Sequence, residues 1–75
     1  MGVKSRRGDI KRALGKNLRE ARERAKLTQE VVGQRSGVHA TEVSRIEAGK
    51  RDPRIATVEA LAEAVGVSVS DLLKR

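Results

Sequence analysis

The side chains that could carry out chemistry in this sequence are few and scattered. His39 is the only histidine, cysteine is absent, and none of the serines has a paired base of the kind that activates a nucleophile. One histidine without cysteine also lacks the ligands for a metal site, and no glycine-rich phosphate loop is present. The residues therefore predict no enzyme activity, no metal and no cofactor.

Positive charge is the more informative chemistry. The net charge is +7, and residues 1–26 hold ten Lys or Arg against three acidic residues, whereas residues 27–75 hold seven of each sign. A basic segment attracts polyanions such as nucleic acid or an anionic membrane surface, although solvated helix faces are also often basic. Charge alone leaves these alternatives open.

Targeting and membrane signals are missing from the pattern. The start, MGVKSRRGDIKR, has no apolar run of signal-peptide length, and no apolar stretch is long enough to span a bilayer. The absence of cysteine fits a reducing compartment. We therefore expect a cytoplasmic protein with no membrane contact.

The stretch QEVVGQRSGVHATEVSRIEA, residues 29–48, has the clearest structural signal. Apolar residues recur at spacings of three and four on both sides of Gly37, which predicts two short helices. Gly37 suits the left-handed turn that ends a helix, and Gly33 suits a close approach of the second helix. Two helices joined in this way form a helix-turn-helix, whose second helix is built to enter a DNA major groove.

The N-terminal third predicts a flexible basic arm over residues 1–8, followed by one domain over residues 9–75. Asp9 is the expected N-cap of a first helix that runs to about Ala25. Its apolar stripe recurs every three or four residues, at Ile10, Leu14, Leu18, Ala21 and Ala25.

Four more helices follow with short connections. Thr28 is the expected N-cap of the second helix, over residues 29–36, and Gly49 ends the third, over residues 40–48. A loop over 49–54 leads to a fourth helix from residue 55 or 56 to 65, and Ser68 with Asp71 begins a fifth. No alternating strand pattern occurs, so the fold class is all-α.

Several marks stand in a fixed order along residues 14–73: Leu27-Thr28-Gln29, Gly33, Gly37-Val38, Val43-x-x-Ile46-Glu47-Ala48-Gly49, Pro53, Gly66-Val67-Ser68 and Leu72-Leu73. This order resembles the phage repressor/Cro-type helix-turn-helix family, also called the xenobiotic-response-element family. The resemblance implies a compact five-helix, lambda-repressor-like domain whose helices 2 and 3 form the helix-turn-helix. It also implies a sequence-specific, nucleoid-associated regulator that binds double-stranded DNA.

The resemblance assigns DNA contacts to the start of helix 2, the outward face of helix 3 and the loop after it: Thr28, Gln29, His39, Ala40, Thr41, Ser44, Arg45, Lys50, Arg51 and Arg54. It places Arg22 and Glu47 at positions that form a buried ion pair in some members. His39 departs from the usual Ser or Thr cap, and Ala40 is small where members often carry Gln or Arg. Base readout would therefore rest mainly on Arg45 and Thr41, with His39 as a further candidate, and the operator sequence is not predicted.

Assembly and alternatives complete the expectations. Family members commonly bind palindromic half-sites as dimers, and we expect a homodimer with Val69 and Leu73 of helix 5 at the two-fold contact. Arg6 and Arg7 either enter a minor groove or have no function. The alternative to a DNA-reading regulator is a protein-interaction module, such as an antitoxin or coactivator-like domain with weak or non-specific DNA binding. Neither repression nor activation is favoured.

Overall fold

The chain folds into a bundle of short helices around an aliphatic core. The computed structural model describes residues 6–75, and these form five helices: α1 (Arg6–Arg24), α2 (Gln29–Ser36), α3 (Ala40–Glu47), α4 (Ile55–Val65) and α5 (Val69–Leu73). The predicted all-α fold with five helices is confirmed. Within residues 6–75, no helix is both long enough and apolar enough to cross a membrane.

The core draws on every helix, as the three- and four-residue spacings predict. Its fully enclosed side chains are aliphatic, because the sequence has no Phe, Tyr or Trp. They are Leu18 of α1, Val32 of α2, Val43 and Ile46 of α3, Leu61 of α4 and Leu72 of α5. Since α3 contributes only these two, its other residues are free to form a surface.

The predicted helix ends are confirmed at α2, α4 and α5. The hydroxyl of Thr28 accepts a hydrogen bond from the Val31 backbone N–H at 3.1 Å, and Gly37 ends α2 in the left-handed region with φ +77°. Gly66 ends α4 with φ +80°. At α5, Ser68 and Asp71 form a capping box, and the hydrogen bond from the Ser68 backbone N–H lowers the pKa of the Asp71 carboxyl.

The prediction for the first helix is wrong at its N-terminal end, whereas its C-terminal end, at Arg24, lies within one residue of the predicted Ala25. Asp9 is not the N-cap, because α1 already includes residues 6–8; its carboxylate instead accepts a hydrogen bond from Arg12 at 2.6 Å. The predicted arm therefore overlaps α1 at residues 6–8, and its remainder lies outside the described residues. Ile10 is 38% exposed, and Ala25 is exposed just beyond the end of α1. The buried stripe consequently runs only from Leu14 to Ala21.

The third helix is one residue shorter than predicted. It ends at Glu47, with Ala48 as its C-cap, and Gly49 then takes the left-handed conformation with φ +75°. The backbone N–H groups of Gly49 and Lys50 bond back to the carbonyls of Ile46 and Arg45, both at 3.0 Å. These bonds satisfy carbonyls in the last turn of α3 and end the helix.

Candidate nucleic-acid interface

The two sides of α3 differ in chemistry. Val43 and Ile46 are completely buried, which fixes the rotation of the helix about its axis. Thr41, Ser44 and Arg45 are exposed on the other side, and no ion pair or hydrogen bond from the Arg45 guanidinium is formed among the side chains of residues 8–75. The arrangement presents one arginine and two hydroxyls as donors on a convex helical surface.

The C-terminal end of α3 is anchored by a buried carboxylate. Arg22 of α1 donates from Nε to Glu47 Oε2 at 2.7 Å and from Nη2 to Glu47 Oε1 at 3.0 Å. The exposed fractions of the two side chains are only 14% and 4%. The hydrogen bond to Glu47 is the main cause that raises the pKa of Arg22, so the guanidinium stays charged across the physiological pH range.

Two further contacts join this ion pair to the rest of the helix-turn-helix. Gln29, the first residue of α2, donates from Nε2 to Glu47 Oε1 at 3.0 Å. Arg22 also donates from Nη1 to the Leu27 carbonyl at 3.0 Å, in the segment that joins α1 to α2. One carboxylate on α3 therefore fixes the relative positions of three helices.

Gly15 brings α1 unusually close to the same end of α3. A Cβ atom at this position would lie 2.5 Å from the Ile46 carbonyl oxygen and 2.6 Å from that of Glu47. Sequence analysis missed this residue, because a glycine inside a helix ordinarily signals only a cost in helix propensity. The signal that was available is its position beside Leu14, on the buried side of an amphipathic helix.

The N-terminal end of α3 rests on different contacts. His39 is the N-cap, and its Nδ1 accepts a hydrogen bond from the Thr41 backbone N–H at 3.1 Å. Gly33 of α2 passes so close that a Cβ there would lie 2.5 Å from the Val38 carbonyl oxygen and 3.3 Å from the Ala40 nitrogen. The close approach expected at Gly33 is present, and it involves the turn and the first residue of α3.

A shallow cleft joins the starts of the two helices. Its walls are Thr28, Gln29 and Glu30 of the α2 start and Ala40, Thr41 and Ser44 of α3. Five of the residues assigned to DNA contact from the sequence are thus brought together on one surface, with Ala40 leaving space between them. Glu30, which sequence analysis did not single out, adds a negative charge to this cleft.

The loop after α3 supplies the remaining cations. Lys50, Arg51 and Arg54 are exposed. Arg51 forms an ion pair with Glu42 of α3, with 3.2 Å between Nε and Oε1, and the two side chains are 44% and 35% exposed. This pair ties the loop back to α3.

Val69 and Leu73, assigned to the two-fold contact from the sequence, lie far from this surface along the chain. Both are half-buried and pack against the core through α5. The Asn17 side chain of α1 donates to the carbonyls of Leu72 at 2.9 Å and Lys74 at 2.7 Å, which holds the end of α5 against α1. The most exposed large apolar side chain among the described residues is instead Ile55, at 62%.

The family model for a helix-turn-helix domain matches residues 13–73 of the chain. This range includes α2, the Gly37 turn and α3, together with the helices that anchor them. The chain belongs to the helix-turn-helix family of DNA-binding transcriptional regulators. The resemblance to the phage repressor/Cro-type family is confirmed.

Related proteins agree with this membership. The regulator is 38% identical over 65 residues to the uncharacterised HTH-type transcriptional regulator y4dJ of Sinorhizobium fredii, covering 87% of this chain and 84% of that protein. It is 37% identical over 67 residues to the control protein C.SmaI of Serratia marcescens, covering 89% and 80% of the two chains. These relatives belong to a family of transcriptional regulators and not of enzymes.

The fold is also shared with a solved structure. The restriction-modification controller protein C.AhdI of Aeromonas hydrophila superposes with a TM-score of 0.79 at 29% sequence identity. The match covers 83% of this regulator and 94% of that chain. This regulator is therefore a compact five-helix domain of the lambda-repressor-like type.

Proposed function

We propose that this regulator binds a palindromic operator as a homodimer, with α3 of each protomer in the major groove of one half-site. The observation that carries the proposal is that α3 has one buried side and one exposed side, which we call the open side. Val43 and Ile46 are fully buried, while Thr41, Ser44 and Arg45 are exposed next to the start of α2. A helix with this division presents a fixed set of donors to base edges.

Recognition of base edges and binding of DNA phosphates would be divided between two groups of side chains. Arg45 has a guanidinium with no ion pair or hydrogen bond to the side chains of residues 8–75, on the open side of α3, which suits a bidentate contact with guanine O6 and N7. Thr41 and Ser44 extend the readout, and Ala40 contributes at most a thymine-methyl contact. Contacts to phosphate, which add affinity without sequence information, fall to Thr28 and Gln29 at the start of α2 and to Lys50, Arg51 and Arg54 in the loop.

The case for a dimer comes from the size of α3. A helix of eight residues is about 12 Å long, which is enough for only a few base pairs. Two half-sites one helical turn apart, on the order of 34 Å, would double the sequence that is read. We place the two-fold contact on α5, where Val69 and Leu73 pack at the edge of the core.

Selection of bound DNA from a random pool, followed by sequencing, tests this function. The proposal expects one enriched motif with two-fold symmetry, and sedimentation of the complex should give two protomers per operator. Val69→Lys should reduce this to one protomer, whereas Ile55→Lys, at an exposed apolar position elsewhere, should not. Binding that is weak and blind to sequence would instead favour the protein-interaction module.

The biological setting we favour is control of a restriction–modification system. The support is the similarity to C.SmaI and C.AhdI, both named as control proteins and both matched over most of their length. Genomic fragments immunoprecipitated with the regulator should then include the promoter of a gene pair for a DNA methyltransferase and an endonuclease. Enrichment of unrelated promoters only would reject this setting and leave operator binding intact.

A further inference from the structure

Helix α5 ends in a different way from the other four described helices. A residue in the left-handed region follows each of those within two positions: Lys26 after α1, Gly37 after α2, Gly49 after α3 and Gly66 after α4. Such a residue lets backbone N–H groups bond back to the last carbonyls of a helix. Lys74, which follows α5, is extended instead, with φ −63° and ψ 136°. The last carbonyls of α5 therefore need a donor from elsewhere.

That donor comes from α1. The Asn17 side chain donates from Nδ2 to the Leu72 carbonyl at 2.9 Å and to the Lys74 carbonyl at 2.7 Å. A side-chain amide nitrogen carries two N–H groups, so both donors of Asn17 are bonded to the end of α5. Because α5 has only five residues, its own hydrogen bonds are too few to hold it in place. The two bonds from Asn17 therefore help to fix α5 on α1.

The same helix carries the contacts that fix α3. Gly15 allows close approach of the α3 carbonyls, and Arg22 binds the Glu47 carboxylate. Gly15 and Asn17 are two positions apart, which is roughly 200° around a helix, so α3 and the end of α5 contact nearly opposite sides of α1. Among the five described helices, α1 is the one that packs extensively against both α3 and α5.

This placement has a consequence for a dimer that is joined through α5. The position of each α3 relative to the two-fold axis would be set by the contact of α5 with α1 and by the contact of α1 with α3. The separation of the two α3 helices must match that of the two half-sites, on the order of 34 Å. A dimer whose α5 is loosely held on α1 would accept other separations as well.

We propose that Asn17 determines which half-site spacing the dimer accepts, because it fixes α5 on the helix that also fixes α3. Its role is positioning, since both of its donors are already bonded to α5. The inference rests on the proposed binding of a palindromic operator by a homodimer joined through α5. It goes beyond that function by making the spacing of the half-sites, in addition to their sequence, a property that the regulator recognises.

Two substitutions remove the donors of Asn17. Asn17→Ala deletes the amide at a half-buried position and leaves a residue that favours the helix. Asn17→Asp keeps the shape of the side chain, but an ionised carboxylate only accepts hydrogen bonds. The control is Val32→Ala, which removes methyl groups from the core in α2 and lowers the stability, while the Asn17 side chain is unchanged.

Each protein is titrated with three DNAs at a temperature where all variants are folded. They are the selected operator, the same operator with one base pair inserted between the half-sites, and a single half-site. The parent should prefer the selected spacing. A dimer on the inserted spacing can relieve the distortion by releasing α5 from α1, so the strength of that link limits the preference. Loss of two neutral hydrogen bonds should therefore reduce the preference by about tenfold in both Asn17 variants.

The single half-site separates positioning from a general loss of binding. Asn17→Ala should bind it with parental affinity, because Gly15 and Glu47 still hold α3. Parental spacing preference in both Asn17 variants would overturn the inference. An equal loss of preference in Val32→Ala would also overturn it, since the preference would then follow stability alone. A parent that binds the single half-site as tightly as the operator would reject the proposed dimeric binding, and the inference with it.

Discussion

At the C-terminal end of α3, Glu47 accepts three hydrogen bonds from α1 and α2, and Gly15 admits the α1 backbone at contact distance. At the N-terminal end, the helix is held by the cap bond from Thr41 to His39, by the exposed Arg51–Glu42 ion pair and by close packing of Gly33 against the turn. Both ends lie beside the same proposed DNA surface. The polar groups are buried within the protein at the C-terminal end and exposed to solvent at the N-terminal end.

This difference suggests how the helix-turn-helix keeps α3 in a fixed position while its exposed residues vary. The enclosed end fixes the position of α3 through Arg22 and Glu47, whose charged groups satisfy one another inside the protein. The open end carries exposed residues whose identity can change without disturbing the core. A regulator built in this way can change its preferred sequence through the exposed residues of α3 while the buried contacts keep the geometry constant.

The largest effect should follow from breaking the enclosed end. Glu47→Ala leaves the Arg22 guanidinium buried without its carboxylate, which should lower the free energy of unfolding by about 3–5 kcal/mol. Glu23→Ala is the matched control, because Glu23 pairs with Arg19 at 3.2 Å on an exposed face and should cost less than about 1 kcal/mol. Denaturant unfolding of both variants measures the contrast, and equal stabilities would mean that the buried pair does not anchor α3.

A second, smaller effect should follow at Gly15. Gly15→Ala forces the added methyl group against the carbonyl oxygens of Ile46 and Glu47, and we expect overpacking to cost about 1–3 kcal/mol. Gly8→Ala makes the same change in the same helix, where the added Cβ meets only the end of the Arg12 side chain at 3.5 Å. That control should be stabilising by about 0.5–1 kcal/mol, and a stabilising Gly15→Ala would show that α1 is free to move away from α3.

The smallest stability effect is expected on the open side of α3. Glu42 holds Arg51 through an exposed pair, so Glu42→Gln should change the free energy of unfolding by less than about 1 kcal/mol. The loss of a negative charge beside the DNA should strengthen binding to operator and random DNA by the same factor. Glu59→Gln on α4 is the control for net charge. A gain for the operator alone would instead make Glu42 a base-reading residue.

The parts of the fold that the sequence predicted are those set by local chemistry. Thr28, Gly37, Gly66 and Ser68 mark helix ends because cap and left-handed turn depend on residues only a few positions away. The inward positions of Val43 and Ile46 followed from their spacing. Their burial in turn defines the open side of α3.

The features that escaped prediction depend on contacts distant in the chain. Gly15 is explained only by the α3 carbonyls that lie against it, and the Arg51–Glu42 pair only by the path of the loop. Asp9 has the chemistry of an N-cap, but the chain is already helical before it, so its carboxylate pairs with Arg12 instead. For His39 the sequence showed a departure from the usual cap residue, and only the ring geometry shows that the capping task is kept.

We assign base recognition to α3 and phosphate binding to the loop. A comparison of two arginine variants tests this assignment most directly. Arg45→Ala removes a donor on the open side of α3. The difference in binding free energy between operator and random DNA should fall by about 1–3 kcal/mol. Arg51→Ala should weaken both DNAs alike and make the log–log salt dependence shallower by about one per protomer. Loss of specificity in Arg51→Ala, with specificity intact in Arg45→Ala, would contradict the placement of α3 in the major groove.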